Sequence, residues 1–354
     1  MSASEPYSGS YHDIETHKMM LQDVIRTEAY ERAIRHFVKP GCSVMDFGCG
    51  TGILSIFASK FGAKKVFAVD RSFFIQAAWE IAQNNNIENI DFYHCDHVEI
   101  EKELDTKVDI LLSEWMGHFL FFEAMLDPLL RIRDKFLAED GVMIPQKMSM
   151  YAGLVTDEYF FEDGAFLINN PYGVNFAPVA DAPLYQSALE NLNPKQMLDT
   201  VVPLGEIDMK TIEKAPERLE GKVVVNKNAT IYGLAGWFSA ELAPDIILGT
   251  GPDDPPTHWM QMYFPFFKPF EVKQNTQLKV VIHPPNNKIG SEPHWRWSIS
   301  DGNQILDMND LDHKEQLNPF LPVGVVSSPI DISNRDSANF NRDKNVNLSD
   351  GKEK

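Results

Sequence analysis

From about residue 40 the apolar positions of the chain fall into short runs that alternate with stretches of helical spacing. CSVMDFG is a short apolar run that ends in turn residues, and Ile53 to Phe61 reads as a helix. KKVFAVD predicts a strand, Phe73 to Asn84 a helix, and IDFYHCD and KVDILLSE two further strands. A long helical pattern follows from Phe119 to Leu137. Strands alternating with helices predict an open, mostly parallel sheet, a Rossmann-like α/β unit over residues 38–144. Ahead of it, residues 14–37 carry a helical period with Met20, Val24 and Ala33 among the apolar positions, so residues 1–37 form an N-terminal helical segment.

Around MIPQKMSMYAGLV the period changes. Prolines and glycines become frequent, and period-2 stretches such as QLKVVIHP and HWRWSIS predict antiparallel β structure, a barrel or sandwich, over residues 145–322. An irregular, partly helical insertion interrupts it at about 160–200. Residues 323–354 form a C-terminal extension whose last stretch is polar and nearly free of large apolar side chains, the composition of a disordered tail.

Composition narrows the picture. The 354 residues are 44% hydrophobic, ample for a core and long enough for two domains. No run is long enough for a membrane helix and the N-terminus has no signal-like apolar region. Three cysteines, Cys42, Cys49 and Cys95, make neither a disulfide framework nor a zinc site, which points to a reducing compartment: cytoplasm, nucleus or both. The net charge of −19 speaks against direct nucleic-acid binding. An acidic surface either attracts cationic partners or serves solubility.

VMDFGCGTG, Val44 to Gly52, is a strand, a Gly-rich turn and a helix start. Its glycines, Gly48, Gly50 and Gly52, do not have the dinucleotide spacing. Asp46 at the strand end would repel a pyrophosphate but suits a ligand with an amino group. Asp70 closes the second strand, where an acid hydrogen-bonds ribose hydroxyls. Asp96 and Glu99 follow the third strand, within reach of an adenine. Ribose, adenine, an amino group and no phosphate describe S-adenosylmethionine, with S-adenosylhomocysteine as its product. No metal site is predicted.

SEWMGHFLFFEAML, Ser113 to Leu126, places Glu114 at the end of the fourth strand and Glu123 in a nearly apolar run. A desolvated carboxylate needs a cationic partner. In open α/β sheets ligands bind at the carboxyl ends of strands, so Glu114 and the cofactor share a crevice. Two carboxylates beside a sulfonium methyl donor point to a guanidinium, planar and permanently charged, which carboxylates grip bidentately. His258, in THW, could take the released proton; periodicity alone fits a structural histidine as well. The segment from Tyr7 to Thr27 gathers tyrosines, His17, methionines, Asp23 and Arg26; an amphipathic helix with packing methionines is the plainer reading.

Over roughly residues 7–320 the chain resembles the protein arginine methyltransferases of the type that forms asymmetric dimethylarginine. SEWMG…FEAML is similar to the family's double-glutamate loop, VMDFGCGTG and FAVDRS to its cofactor motifs, HVE (His97 to Glu99) to its adenine segment, and THW to the loop lining the arginine slot, which brings in Trp259. The resemblance implies a fold with an S-adenosylmethionine-binding Rossmann-like domain, then an antiparallel β-barrel domain with a helical dimerisation arm. It implies that the N-terminal helix closes over the cofactor, that His17 and Arg26 contact the cofactor, Arg26 through its carboxylate, and that Asp23 pairs with His258. Tyr7 and Tyr11 match paired tyrosines near the substrate; Met20 and Met125 match methionines of enzymes making the asymmetric product. The implied partners are arginine/glycine-rich or otherwise basic proteins, such as RNA-binding proteins and histones, and a second copy of the chain, with no direct nucleic-acid or membrane contact.

The chain departs from the family pattern in three places. Ser-Gly-Ser separates Tyr7 from Tyr11, His118 replaces a common tyrosine after WMG, and Lys18 stands where acidic or neutral residues are usual. A weakly active subunit that activates a relative is an alternative reading, and a small-molecule methyltransferase a third. The retained Glu114, Glu123, Asp70 and His258 oppose the former; the β half and acidic surface oppose the latter.

Overall fold

The structure, a computed structural model, describes residues 13–123, 125–285 and 294–308, all within the unit that ends at Leu321. Tyr7, Tyr11 and the extension 323–354 lie outside the described residues.

The predicted helical stretch at 14–37 is two helices. Helix α1 (Ile14–Gln22) is capped by Asp13, whose carboxylate accepts from Glu15 N. At Asp23 the backbone leaves the helical region (φ −73°, ψ 85°), and the Asp23 carboxylate accepts from Arg26 N at 3.0 Å to start α2 (Val24–Phe37). Arg26, Ala29, Tyr30, Ala33 and Ile34 recur at three- and four-residue steps and form the buried face of α2.

Strands β1 (Ser43–Phe47), β2 (Lys65–Asp70), β3 (Ile90–His94), β4 (Val108–Leu112) and β5 (Leu137–Ile144) form a parallel sheet in the order β3-β2-β1-β4-β5. Helices α3 (Ile53–Lys60), α4 (Phe74–Asn84), α5 (His97–Glu103) and α6 (Leu126–Phe136) connect them. The order reverses between β1 and β4, which opens a crevice at their carboxyl ends. The Gly-rich turn follows β1 and Glu114 follows β4, so the topology puts both motifs at the mouth of one crevice.

The predicted helix from Phe119 begins seven residues late. Phe119 and Leu120 have φ of 49° and 69°, Phe121–Glu123 is a single 3₁₀ turn, and the α-helix starts at Leu126. A closed turn, with Leu120 N on Gly117 O and Gly117 N on Leu120 O, forbids helical continuation. The Phe119 ring, 2% exposed, packs against Phe264 and Trp295 of the β half, so tertiary burial overrides the local period.

The second half is antiparallel, as its period predicts. Strands β6 (Lys147–Val155), β7 (Ala188–Glu190), β8 (Met197–Asp208), β10 (Ala229–Ala243), β11 (Ile246–Gly249) and β12 (Gln261–Val272) form one sheet, ordered β7-β12-β10-β6-β8 with β11 on β10. Strands β9 (Leu219–Val224), β13 (Gln277–His283), β14 (Arg296–Ser300) and β15 (Ile305–Asp307) form the other. Both halves share one continuous buried core. Between β6 and β8 runs the irregular insertion: a short helix, α7 (Tyr159–Gly164), several 3₁₀ turns and β7. It leaves Tyr159, Phe166, Ile168, Tyr172 and Val174 exposed. Arg133 on α6 joins the halves by donating to Met209 O and Ile212 O.

Candidate active site

The turn after β1 uses left-handed backbone at Gly48, Gly50 and Gly52 (φ 81°, 51° and 76°), a region open to glycine without strain. Asp70, at the end of β2, accepts from Gly50 N and Ser72 N, each at 2.7 Å, one on each oxygen. It therefore braces the turn, and each oxygen retains lone-pair capacity for a ligand hydroxyl. His17 of α1 covers Gly50: a Cβ there would come within 3.1 Å of the His17 ring, which packs at a tilt against Phe74 with ring centroids 3.9 Å apart. Met125 lies against Gly48, with its methyl 3.5 Å from where a Cβ would stand. The far end of the acidic loop thus touches the cofactor turn.

Asp46 is fully buried. Ser55 Oγ donates to Oδ2 at 2.6 Å, while Oδ1 has no hydrogen-bond partner. Burial, with help from the nearby Asp70 charge, pushes its carboxyl up to about 7. Glu99 serves locally: with Asp96 it closes a capping box on α5, accepting from Asp96 N at 3.1 Å. An unsatisfied buried carboxylate oxygen, a glycine cradle and a braced Asp70 are a donor set that fits a ligand with an amino group and ribose hydroxyls.

Glu114 follows Ser113, whose hydroxyl donates to Phe47 O and so ties β4 to β1. Both Nε and Nη2 of Arg26 donate to Glu114 Oε2, at 3.2 and 2.9 Å, with the two side chains 6% and 9% exposed. Arg26 Nη1 donates to Met20 O. The site's first carboxylate thus already holds a guanidinium, one supplied by the chain itself. The family resemblance implies that Arg26 contacts the cofactor; in the structure its counter-charge is Glu114. Glu123 sits half-buried on its 3₁₀ turn, packed so closely on Gly117 that a Cβ there would meet Glu123 Cγ at 2.7 Å. Gly117 is a residue the sequence reading passed over, although a glycine inside an apolar run is a signal of close approach.

Across the crevice His258 Nδ1 lies 2.7 Å from Asp23 Oδ2, and His258 N donates to the same oxygen at 2.9 Å. Burial would raise the Asp23 carboxyl, but the hydrogen bonds from His258 and from Arg26 N outweigh it and hold the group below its ordinary value. The pairing implied by the family pattern is therefore present, and Asp23 also explains the helix break. Trp259 is 2% exposed and donates from Nε1 to Met116 O at 2.7 Å. Met20 is half-buried on α1.

Such a fold and site define a class: a Rossmann-like methyltransferase joined to an antiparallel β half, with a glycine cradle and the buried Glu114 at the sheet's switch point. Residues 146–297 match the family described as arginine methyltransferase oligomerization subdomain, and residues 26–144 match that of ribosomal protein L11 methyltransferase. Protein arginine N-methyltransferase 1 of Dictyostelium discoideum is 35% identical over 274 residues, covering 75% of this chain and 80% of the relative. That of Saccharomyces cerevisiae is 30% identical over 328 residues, covering 89% and 94%. Among solved structures, the Trypanosoma brucei PRMT1 enzyme–prozyme heterotetrameric complex with AdoHcy aligns at 31% identity and TM-score 0.76, over 84% of this chain and 96% of that one. The chain belongs to the protein arginine N-methyltransferase family. It is an enzyme that methylates arginine residues of proteins, with S-adenosylmethionine as methyl donor.

Proposed function

We propose that Glu114 and Glu123 clamp the guanidinium of a substrate arginine, that His258 removes a proton, and that the products are mono- and asymmetric dimethylarginine. The observation that carries this reading is the guanidinium of Arg26 held on Glu114 by two donors, in a nearly water-free setting. S-adenosylmethionine, when bound, supplies an electrophilic methyl group. The two carboxylates hold positive charge on the nitrogens they face and leave electron density on the nitrogen aimed at the methyl. They also orient that nitrogen and stabilise the charge that arrives on the guanidinium. With Asp23 ionised, His258 carries its proton on Nδ1 and presents a basic Nε2. A proton taken there leaves an imidazolium facing Asp23.

His17, Asp46, Gly48, Gly50, Asp70 and Glu99 line the cofactor side of this reading. Arg26, bound to Glu114, sits at the junction of cofactor and substrate. Met20 and Met125, unbranched and adaptable, leave room beside a nitrogen that already bears a methyl, which directs the second methyl to the same nitrogen. Fragment spectra of an Arg/Gly-rich peptide after incubation with S-adenosylmethionine test this. Asymmetric dimethylarginine is expected, Met20→Phe should lower dimethylation, and a symmetric or solely monomethylated wild-type product would contradict the assignment.

The oligomerisation match over residues 146–297 and the exposed apolar residues of the insertion support a homodimer. Sedimentation of the chain alone tests it; a fully active monomer would exclude it. Basic proteins are the proposed substrates, since the surface carries a net charge of −19. Three free cysteines fit a site of action in the cytoplasm or nucleus, which fractionation checks.

A further inference from the structure

Two loops frame the crevice on its β side, the acidic loop from Ser113 to Leu126 and the Thr257–Met260 loop. They exchange a hydrogen bond in each direction. Trp259 Nε1 donates to Met116 O at 2.7 Å, and His118 Nδ1 lies 3.2 Å from Trp259 O. A carbonyl only accepts, so Nδ1 carries the His118 proton. Burial first, and the charge of His258 second, push the His118 imidazole down to about 4, so the ring is neutral near pH 7 and Nε2 is bare.

The backbone beside His118 needs such a tie. Phe119 and Leu120, at φ 49° and 69°, occupy a region that side chains other than glycine rarely adopt. Strain of this kind persists only where the surroundings hold it. Beyond His118, the Phe119 ring is held between Phe264 and Trp295. Before it, Gly117 is locked by its two bonds to Leu120 and by the close approach of Glu123. His118 lies between these anchors, its ring near that of Phe122, and supplies the polar link to the loop that carries His258.

We propose that His118 is a positioning residue: its Nδ1–H latches the loop bearing Glu114 and Glu123 to the loop bearing His258 and Trp259. It thereby sets the spacing between the carboxylate clamp and the proton acceptor. The inference rests on the roles given to those residues under the proposed function. It also gives His118 a task that a longer phenol would have to meet with different geometry.

The test compares wild type with His118→Leu, His118→Asn and His118→Gln. Asparagine places its amide nitrogen near the position of histidine Nδ1, whereas glutamine places it near Nε2. For each protein, kcat and KM are measured on an Arg/Gly-rich peptide, S-adenosylhomocysteine affinity by calorimetry, and the melting temperature. Because a displacement of about 1 Å can cost on the order of a hundredfold, His118→Leu and His118→Gln should lose about tenfold or more in kcat. Their S-adenosylhomocysteine affinity should stay within about twofold, and His118→Asn should recover most of the rate. A purely structural role would lower stability and rate together without distinguishing the two amides. Equal rates for Asn and Gln, or a His118→Leu rate within about twofold of wild type, would overturn the latch. Wild-type turnover, and its loss in Glu123→Gln, report separately on the proposed function.

Discussion

The two halves of the chain bury polar groups in different ways. Among the described residues of the antiparallel half, Thr250, Gln261 and Ser298 are buried, all uncharged. Thr250 and Gln261 are satisfied locally: Thr250 Oγ1 exchanges bonds with the Phe238 backbone, and Gln261 bridges Thr250 O and Leu192 N. The first half buries His17, Asp23, Arg26, Asp46 and Arg133, and nearly buries the side chain of Glu114. Apart from Arg133, which bonds to carbonyls of the β half, those groups gather at one edge of the parallel sheet. Neutral polar pairs cost little once bonded, whereas buried charges are costly even when paired and severe when not. A fold needing only stability would not place them there, so their concentration at the carboxyl edge marks the chemistry. The β half adds His258, with its ring 9% exposed, and otherwise supplies a wall.

This contrast can be broken most sharply at the two glutamates. Glu123→Gln and Glu114→Gln should each lower kcat on a basic peptide by about a hundredfold or more, the scale of about 3–5 kcal/mol for a broken buried pair. Glu114→Gln also strips Arg26 of its counter-charge and should lower the melting temperature. Near-full activity in both would mean that the charges serve structure alone.

Asp46→Asn tests the cost of an incompletely satisfied buried carboxyl. Its folded value, about 7, lies above the ordinary 3.8, so the unfolded chain sheds this proton first as pH rises. Wild-type stability should therefore fall between about pH 4 and pH 7 through this group. Asp46→Asn should flatten that slope and gain on the order of 2–4 kcal/mol at neutral pH, read from urea unfolding, while weakening S-adenosylhomocysteine binding. Unchanged pH dependence would remove Asp46 from the account.

A smaller effect is expected at Asp23. Its folded value is lowered, so its contribution is complete above the ordinary carboxylate value and is lost as pH falls through the lowered one. Asp23→Ala should cost about 1–2 kcal/mol of stability at neutral pH from the lost cap. It should also cut kcat while leaving acid unfolding less steep below about pH 4. The smallest effect is on salt dependence: kcat/KM for a basic peptide should fall a few-fold with added salt and stay flat for a neutral one. Equal profiles would assign the surface charge to solubility.

Much of the first half is legible in the sequence because its signals are local. Apolar runs mark β1 to β4, turn glycines follow β1, and Asp70 and Glu114 stand at strand ends where the sheet's topology makes them functional. The acidic loop carries a helical period from Phe119 yet is not helical there, since nothing in an aromatic run announces positive φ; packing on Phe264 and Trp295 decides it. The break at Asp23 rests on a local cap, Asp23 Oδ1 on Arg26 N, which apolar spacing does not register; the use of its other oxygen by His258, 235 positions away, is set by tertiary structure. The partner of Arg26 is likewise 88 positions distant. Helical spacing at 14–37 shows which faces are apolar; the cap at Asp23 is carried by one polar side chain and leaves that spacing unchanged.

The central claim is that two carboxylates at the sheet's switch point bind and activate a substrate guanidinium. Its most direct test is mass spectrometry of an Arg/Gly-rich peptide incubated with S-adenosylmethionine and either wild type or Glu123→Gln. S-adenosylhomocysteine affinity is measured alongside. The account predicts successive methylation by wild type, little or none by Glu123→Gln, and the same affinity in both. A wild-type chain that leaves the peptide unmodified, or a Glu123→Gln variant that methylates it at the wild-type rate, would contradict the account.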